Sequence, residues 1–276
     1  MKLFIPLIIL IILLASCSKK PTTVSNTTTP PPVVEPPVVK PYSLVWSDEF
    51  NINGKPDSTK WTYETGGNGW GNNELEYYTD SIGNGRVENG NLVIEARYEK
   101  YNGRNYTSAR IISKNKAQWT YGKFEIRARI PKGVGTWPAI WLLSSNDPLV
   151  WPDNGEIDIM EEVGFDPNVI HGTAHNKMYY GGNGKGGNVV IQNAQDSFHV
   201  YSIEWAPHSI TWSVDSTAYY TYNDPGLGYN AWPYFQDFFM ILNLAIGGNW
   251  GGAQGVDNSI FPQQLLIDYV RVYQRK

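Results

Sequence analysis

Of the 276 residues only one is a cysteine and only four are histidines. A disulfide framework within the chain and a cysteine-based structural zinc site are both excluded, and the histidines form no zinc-type cluster. Charge is sparse as well, at 17% of residues. Setting aside four lysines and one glutamate before residue 42 leaves 18 basic against 25 acidic side chains. That balance repels duplex nucleic acid and sulfated polysaccharide and favours a neutral ligand. Aromatic residues and glycine are abundant: 11 Trp, 18 Tyr and 27 Gly, with every Trp between Trp46 and Trp250. A chain that is 41% hydrophobic supports a packed core and not disorder throughout.

The first 17 residues read as a targeting segment. Lys2 precedes an apolar run from Leu3 to Ala15, too short to span a bilayer and suited to a signal peptide. Leu14-Ala15-Ser16-Cys17 resembles the bacterial lipobox, which implies lipidation of Cys17 and explains the lone cysteine without redox chemistry. The expectation is an envelope protein tethered by that lipid alone, outer membrane favoured, facing the periplasm or outward. Residues 18–43, rich in Pro and Thr, predict an extended spacer that cannot form a core. Residues 44–276 are then the folded domain, expected as a monomer.

That domain alternates apolar and polar positions in short runs, such as 91–97, 123–130, 199–205 and 265–273. Such period-2 runs, separated by turn signals including Asn89-Gly90 and Asp153-Asn154-Gly155, predict an all-β sandwich or jelly roll. No repeat of about 40–50 residues suggests a propeller.

The most specific signal is Glu156-Ile157-Asp158-Ile159-Met160-Glu161. In a strand, residues i and i+2 share a face, so Glu156 and Asp158 point together while Ile157 and Ile159 enter the core. Glu161 breaks the parity by one residue. A β-bulge at Met160 or a neighbour restores it, and bulges are frequent beside active sites. Three acids on one face are electrostatically costly, and the flanking sequence offers no compensating cation. As a catalytic device the cost is useful, because like charges push pKa values apart and leave one acid protonated beside an ionised one. Only a concave sheet brings Glu156 and Glu161 to the ~5–5.5 Å separation of a retaining glycosidase.

These residues resemble the signature of glycoside hydrolase family 16, in the bulged spacing of its laminarinase-type members. The lichenase type has one residue fewer between the last two acids. The resemblance covers about residues 42–275 and includes the segments 46–50, 71–75, 106–111, 137–141, 171–175 and 243–250. It implies a concave β-jelly roll of two antiparallel sheets whose cleft binds a neutral β-glucan and hydrolyses it with retention, without a cofactor for catalysis. By position it implies Glu156 as nucleophile, Glu161 as acid/base and Asp158 as the residue assisting the nucleophile. Ala109, where many relatives have Gly, and Glu162, a fourth acid, are departures.

Trp137 and Trp141 lie four apart on a strand and hence on one face, a flat floor for pyranose rings. The resemblance places both at the sugar being cleaved, Trp250 at a more distant platform, and Asn73, Glu74 and Arg110 on the glycone side. It places His175 toward the leaving side. Trp61, Trp205 and Trp212 read as core. A structural Ca²⁺ held by Glu49, the Gly90 carbonyl and Asp268 is also implied, since hard oxygen ligands suit that ion. The expected activity is endo-β-1,3-glucanase on laminarin-like glucans. The rivals are a mixed-linkage β-1,3-1,4-glucanase, an agarase-like galactanase, or a surface glycan-binding protein, the last disfavoured by three intact acids.

Overall fold

A computed structural model describes residues 40–275. Cys17, the signal segment and most of the expected spacer lie outside the described residues. The chain forms β1 (Tyr42–Asp48), β2 (Thr62–Glu64), β3 (Glu76–Tyr78), β4 (Gly85–Glu88), β5 (Asn91–Tyr101) and β6 (Arg104–Ser108). Next come β7 (Arg110–Ile112), β8 (Gly122–Arg129), β9 (Thr136–Ser144), β10 (Glu156–Glu161), β11 (Val169–His175) and β12 (Lys185–Val190). β13 (His199–Ala206), β14 (Ser209–Val214), β15 (Thr217–Asn223), β16 (Phe238–Ile246) and β17 (Gln263–Arg275) complete the order. β1 starts two residues before the expected domain boundary, because Tyr42 and Ser43 already pair with Arg275 and Gln274 of β17.

The strands form two sheets. One runs β15-β14-β13-β8-β17-β5-β6-β3, with β1 added on β17 and β4 on β5. The other, which carries the cleft, runs β12-β11-β10-β9-β16-β7-β2. Every ladder is antiparallel except β3 with β6, so the expected all-antiparallel sandwich holds with one parallel pair at an edge. The predicted Asn89-Gly90 turn joins β4 to β5, with φ of +52° and +77°, the left-handed pair that a two-residue hairpin demands.

Alternation explains the core. β8 buries Phe124, Ile126 and Ala128 while the residues between them stay half-exposed. They meet Ile140 and Leu142 of β9, Ile157 of β10 and Leu242 and Leu244 of β16 in one continuous cluster. Each such side chain contributes about 1.5–3 kcal/mol by leaving water. β16 is buried at every position, because its other face is covered too: Phe239 and Ile241 pack with Ile112 and Leu143 in a second, smaller cluster beside Trp141. Trp61, Trp205 and Trp212 are buried in the main cluster, as expected.

Candidate active site

Gly155 opens β10 with φ of +87°, and a Cβ there would lie 2.8 Å from Pro233. Glycine therefore fits this turn where a side chain would not. The strand then pairs Glu156 with His175 of β11 and Leu143 of β9, and Asp158 with Thr173 and Trp141. On the β9 side the register jumps from Asp158 opposite Trp141 to Met160 opposite Ile140, so Ile159 is the extra residue. The bulge falls on the neighbour of Met160, and Ile157, Ile159 and Met160 are all buried behind it. Glu161, opposite Ala139 and His171, rejoins the face of the other two acids. From the opposite sheet Trp212 Nε1 donates to the Asp158 carbonyl at 2.7 Å and pins the backbone there.

The three acids line a cleft of about 920 Å³ with Trp137, Trp141 and Trp250. Trp151 Nε1 donates to Glu156 Oε2 at 2.9 Å, and Trp137 Nε1 donates to Glu161 Oε1 at 3.0 Å. His175 Nε2 lies 3.0 Å from Asp158 Oδ2 and 3.8 Å from Glu156 Oε1. The flanking sequence offers the acids no partner, but the adjacent strand places the His175 imidazole against them. His175 stands beneath the Glu156–Asp158 pair and not only toward the leaving side. Trp250 packs edge-on against Trp137 and His171, with centroids 5.7 and 4.9 Å apart.

Burial raises the pKa of all three acids. Glu161 is pushed up to about 7, partly offset by His175 and the Trp137 N–H. Glu156 is pushed up to about 8 by burial and by repulsion from Asp158. Asp158 itself is held well above the carboxylate range by burial and by the charge of Glu161. The Glu156 and Asp158 carboxyls face each other closely enough for a proton held between them to relieve their repulsion.

The remaining expected residues divide. Glu74 and Arg110 line the cleft. The Arg110 guanidinium lies between the rings of Trp70 and Trp141, 4.9 and 4.8 Å from their centroids, and its Nε donates to Glu64 at 2.6 Å. Its first task is to brace two indoles. Asn73 donates to Asn249 Oδ1 at 2.8 Å on the rim, and Asn72 takes the cleft position instead. Trp151 and Trp70 were not singled out from the sequence. The only signal for Trp151 was its place in the turn leading to Gly155. One wall is backbone: a Cβ on Gly184 would meet His175 at 2.7 Å, and one on Gly186 would meet the Gly172 carbonyl at 2.4 Å.

The residues expected to hold Ca²⁺ do not fit a divalent cation as placed. Glu49 accepts from Arg271 Nε and Nη2 at 3.0 and 2.8 Å, and Asp268 accepts from Arg127 Nη1 at 2.5 Å. Two guanidiniums already neutralise the carboxylates, and Gly90 sits in the β4–β5 turn. Among the described residues, the three acid and histidine groups close enough to share an ion are Glu156, Asp158 and His175.

Paired carboxyls in an indole-walled cleft on a β-sandwich define a glycosidase. The chain belongs to a family described as glycosyl hydrolases family 16, whose profile matches residues 58–271. It is 54% identical over 244 residues to a β-glucanase of Rhodothermus marinus, covering 84% of this chain and 85% of that protein. The solved laminarinase of Rhodothermus marinus superposes with a TM-score of 0.83 at 54% identity, over 85% of this chain and 98% of that one. A non-specific endo-β-1,3(4)-glucanase of the same family, crystallised with an oligosaccharide at its active site, matches with a TM-score of 0.82 at 44% identity, over 85% of this chain and 96% of that one.

Proposed function

We propose that this protein is a retaining endo-β-1,3-glucanase acting on laminarin-like glucans. The observation that carries the reading is the pair of indole N–H groups aimed at Glu156 and Glu161, on either side of Asp158 in one cleft. The similarity to a laminarinase over nearly its whole length supports a β-1,3-glucan as substrate. In the first step Glu156 attacks the anomeric carbon, forming a glycosyl ester as the C1–O bond breaks and Glu161 gives its proton to the departing oxygen. In the second, Glu161 takes a proton from water, whose oxygen displaces Glu156 at the same carbon. Asp158 holds the Glu156 carboxyl in line through their shared proton, and Trp137 and Trp141 supply the floor on which the ring lies.

Reducing ends released from laminarin test this directly. The E156Q variant is expected to lose at least about a thousandfold in kcat, since no nucleophile replaces the carboxylate. Product above that control on laminarin, with the β-anomer appearing first by proton NMR, supports the reading. Release no greater than that of E156Q overturns it. Comparison with lichenan and agarose distinguishes the mixed-linkage and galactan alternatives. Export and anchoring through a lipidated Cys17 are part of the same proposal, and a C17A variant recovered free of the membrane fraction checks them.

A further inference from the structure

A second pair of acids lies beside the cleft, and the two-step reaction does not use it. Glu74 and Glu76 are two residues apart where the chain enters β3, fastened to β16 through Leu75 N–H on the Ile246 carbonyl. Glu74 borders the cleft, whereas Glu76 is fully buried behind it. Glu76 Oε2 accepts from the Ile246 N–H at 2.6 Å. Its Oε1 is buried with no donor among the described residues, and the Glu74 carboxyl stands within hydrogen-bond reach. Glu74 in turn accepts from the Tyr78 hydroxyl at 2.9 Å. Two carboxylates this close, away from water, cannot both be charged, and a proton between them satisfies the orphaned oxygen.

From Tyr78 the bonding continues to the cleft floor. Asn243 Nδ2 donates to the Tyr78 hydroxyl at 3.1 Å, and Asn243 Oδ1 accepts from Trp141 Nε1 at 2.8 Å. Arg110 braces a face of the same indole. We propose that Glu74 and Glu76 share one proton, and that Glu76 is a positioning residue that sets Glu74 and, through Tyr78 and Asn243, the Trp141 indole against the glucan. The proposal rests on the reading of this cleft as the glucan site. Arg110 of β7 and Tyr78 of β3 are the titratable groups facing the pair; β16 presents the Ile246 N–H and Asn243, and β6 runs alongside β3. Burial raises both acids, Glu76 the more, because the charge of Glu74 adds to it while Arg110 pulls Glu74 back.

The test compares E76Q and E76A with wild type. Glutamine reproduces the protonated form, its carbonyl accepting from Ile246 and its amide donating to Glu74 at any pH. Wild-type KM for laminarin is expected to rise as increasing pH removes the shared proton, while E76Q holds the low value throughout. E76A is expected to raise KM by about tenfold, with kcat changed by less than about twofold. An E76Q whose KM climbs with pH like wild type, or equals that of E76A, overturns the proposal. A substrate-free measurement separates this from failure of the glucan reading. The native pair keeps a proton that the unfolded chain releases, so wild-type Tm falls more steeply than that of E76Q as pH rises above the ordinary carboxyl value of 4.5. Parallel Tm curves overturn the shared proton whether or not laminarin is cleaved.

Discussion

At the scale of single residues, proton position decides turnover. In the proposed reaction Glu161 must be protonated to act first as an acid, and its pKa of about 7 predicts that kcat/KM declines above neutrality. The Trp137 N–H stabilises the ionised form of Glu161, so W137F removes a donor to the charge and raises that pKa. The alkaline limb of the pH–rate profile is expected to move upward in W137F, even though the rate itself falls. A limb that stays in place or moves down would refute the assignment of Glu161 as acid. The acids themselves were legible in the sequence, because a period of two puts Glu156 and Asp158 on one face. Trp137 and His175 were named as cleft residues, but their pairing with the acids was not legible and Trp151 was missed: Trp151 comes from a turn and His175 from a neighbouring strand, and strand register is a long-range property. Asn73, at φ of +56°, bonds Asn249 at the rim while its neighbour Asn72 lines the cleft, a distinction no local pattern marks.

Among the strands, β10 is decisive. With Ile159 as the extra residue, its deletion leaves Glu156, Asp158 and Glu161 in unbroken alternation, and Met160 moves into the place Ile159 vacates. The ΔIle159 variant is therefore expected to fold, with stability reduced by about 2–5 kcal/mol for the lost aliphatic packing, and to retain activity above E156Q. An additional alanine inserted after Ile159 also restores the alternation but carries Glu161 two residues, about 6.6 Å, beyond its place opposite Ala139, and is expected to abolish activity. Circular dichroism melts and laminarin assays distinguish the two outcomes. The bulge was readable from the sequence as a parity fault. Which residue bulges was not, because Ile159 and Met160 are both apolar and only the pairing with Ile140 decides between them. The strands 123–130 and 265–273 were found because each buries one face, whereas 91–97, read from the same alternation, is buried on both faces over Leu92–Ala96. β16, buried on both, alternates in nothing, and β3 pairs in parallel through a connection that no local pattern marks.

Across the whole molecule, buried acids make stability depend on pH in an unusual direction. Glu162, fully buried on the strand end next to Glu161, is pushed up to about 7 by burial, against donors from Asn168 and Gln195. A raised carboxyl contributes stability that is complete below its unfolded value of 4.5 and is lost as pH rises toward 7. That contribution is on the order of 3 kcal/mol. Calorimetric Tm is therefore expected to fall between about pH 5 and pH 8, and E162Q to flatten the slope; a wild-type Tm that rises over that interval sinks the account. The backbone wall at Gly184 and Gly186 has a consequence of another kind. It leads into β12, which is the outermost strand of the cleft sheet and opens Lys185-Gly186-Gly187, while the opposite edge, β2, is only three residues long. Glycine has little tendency to extend a sheet, and an edge lysine discourages a second chain from docking there. The crowding that leaves no room for side chains along the sugar path thus also makes that edge a poor template for edge-to-edge aggregation.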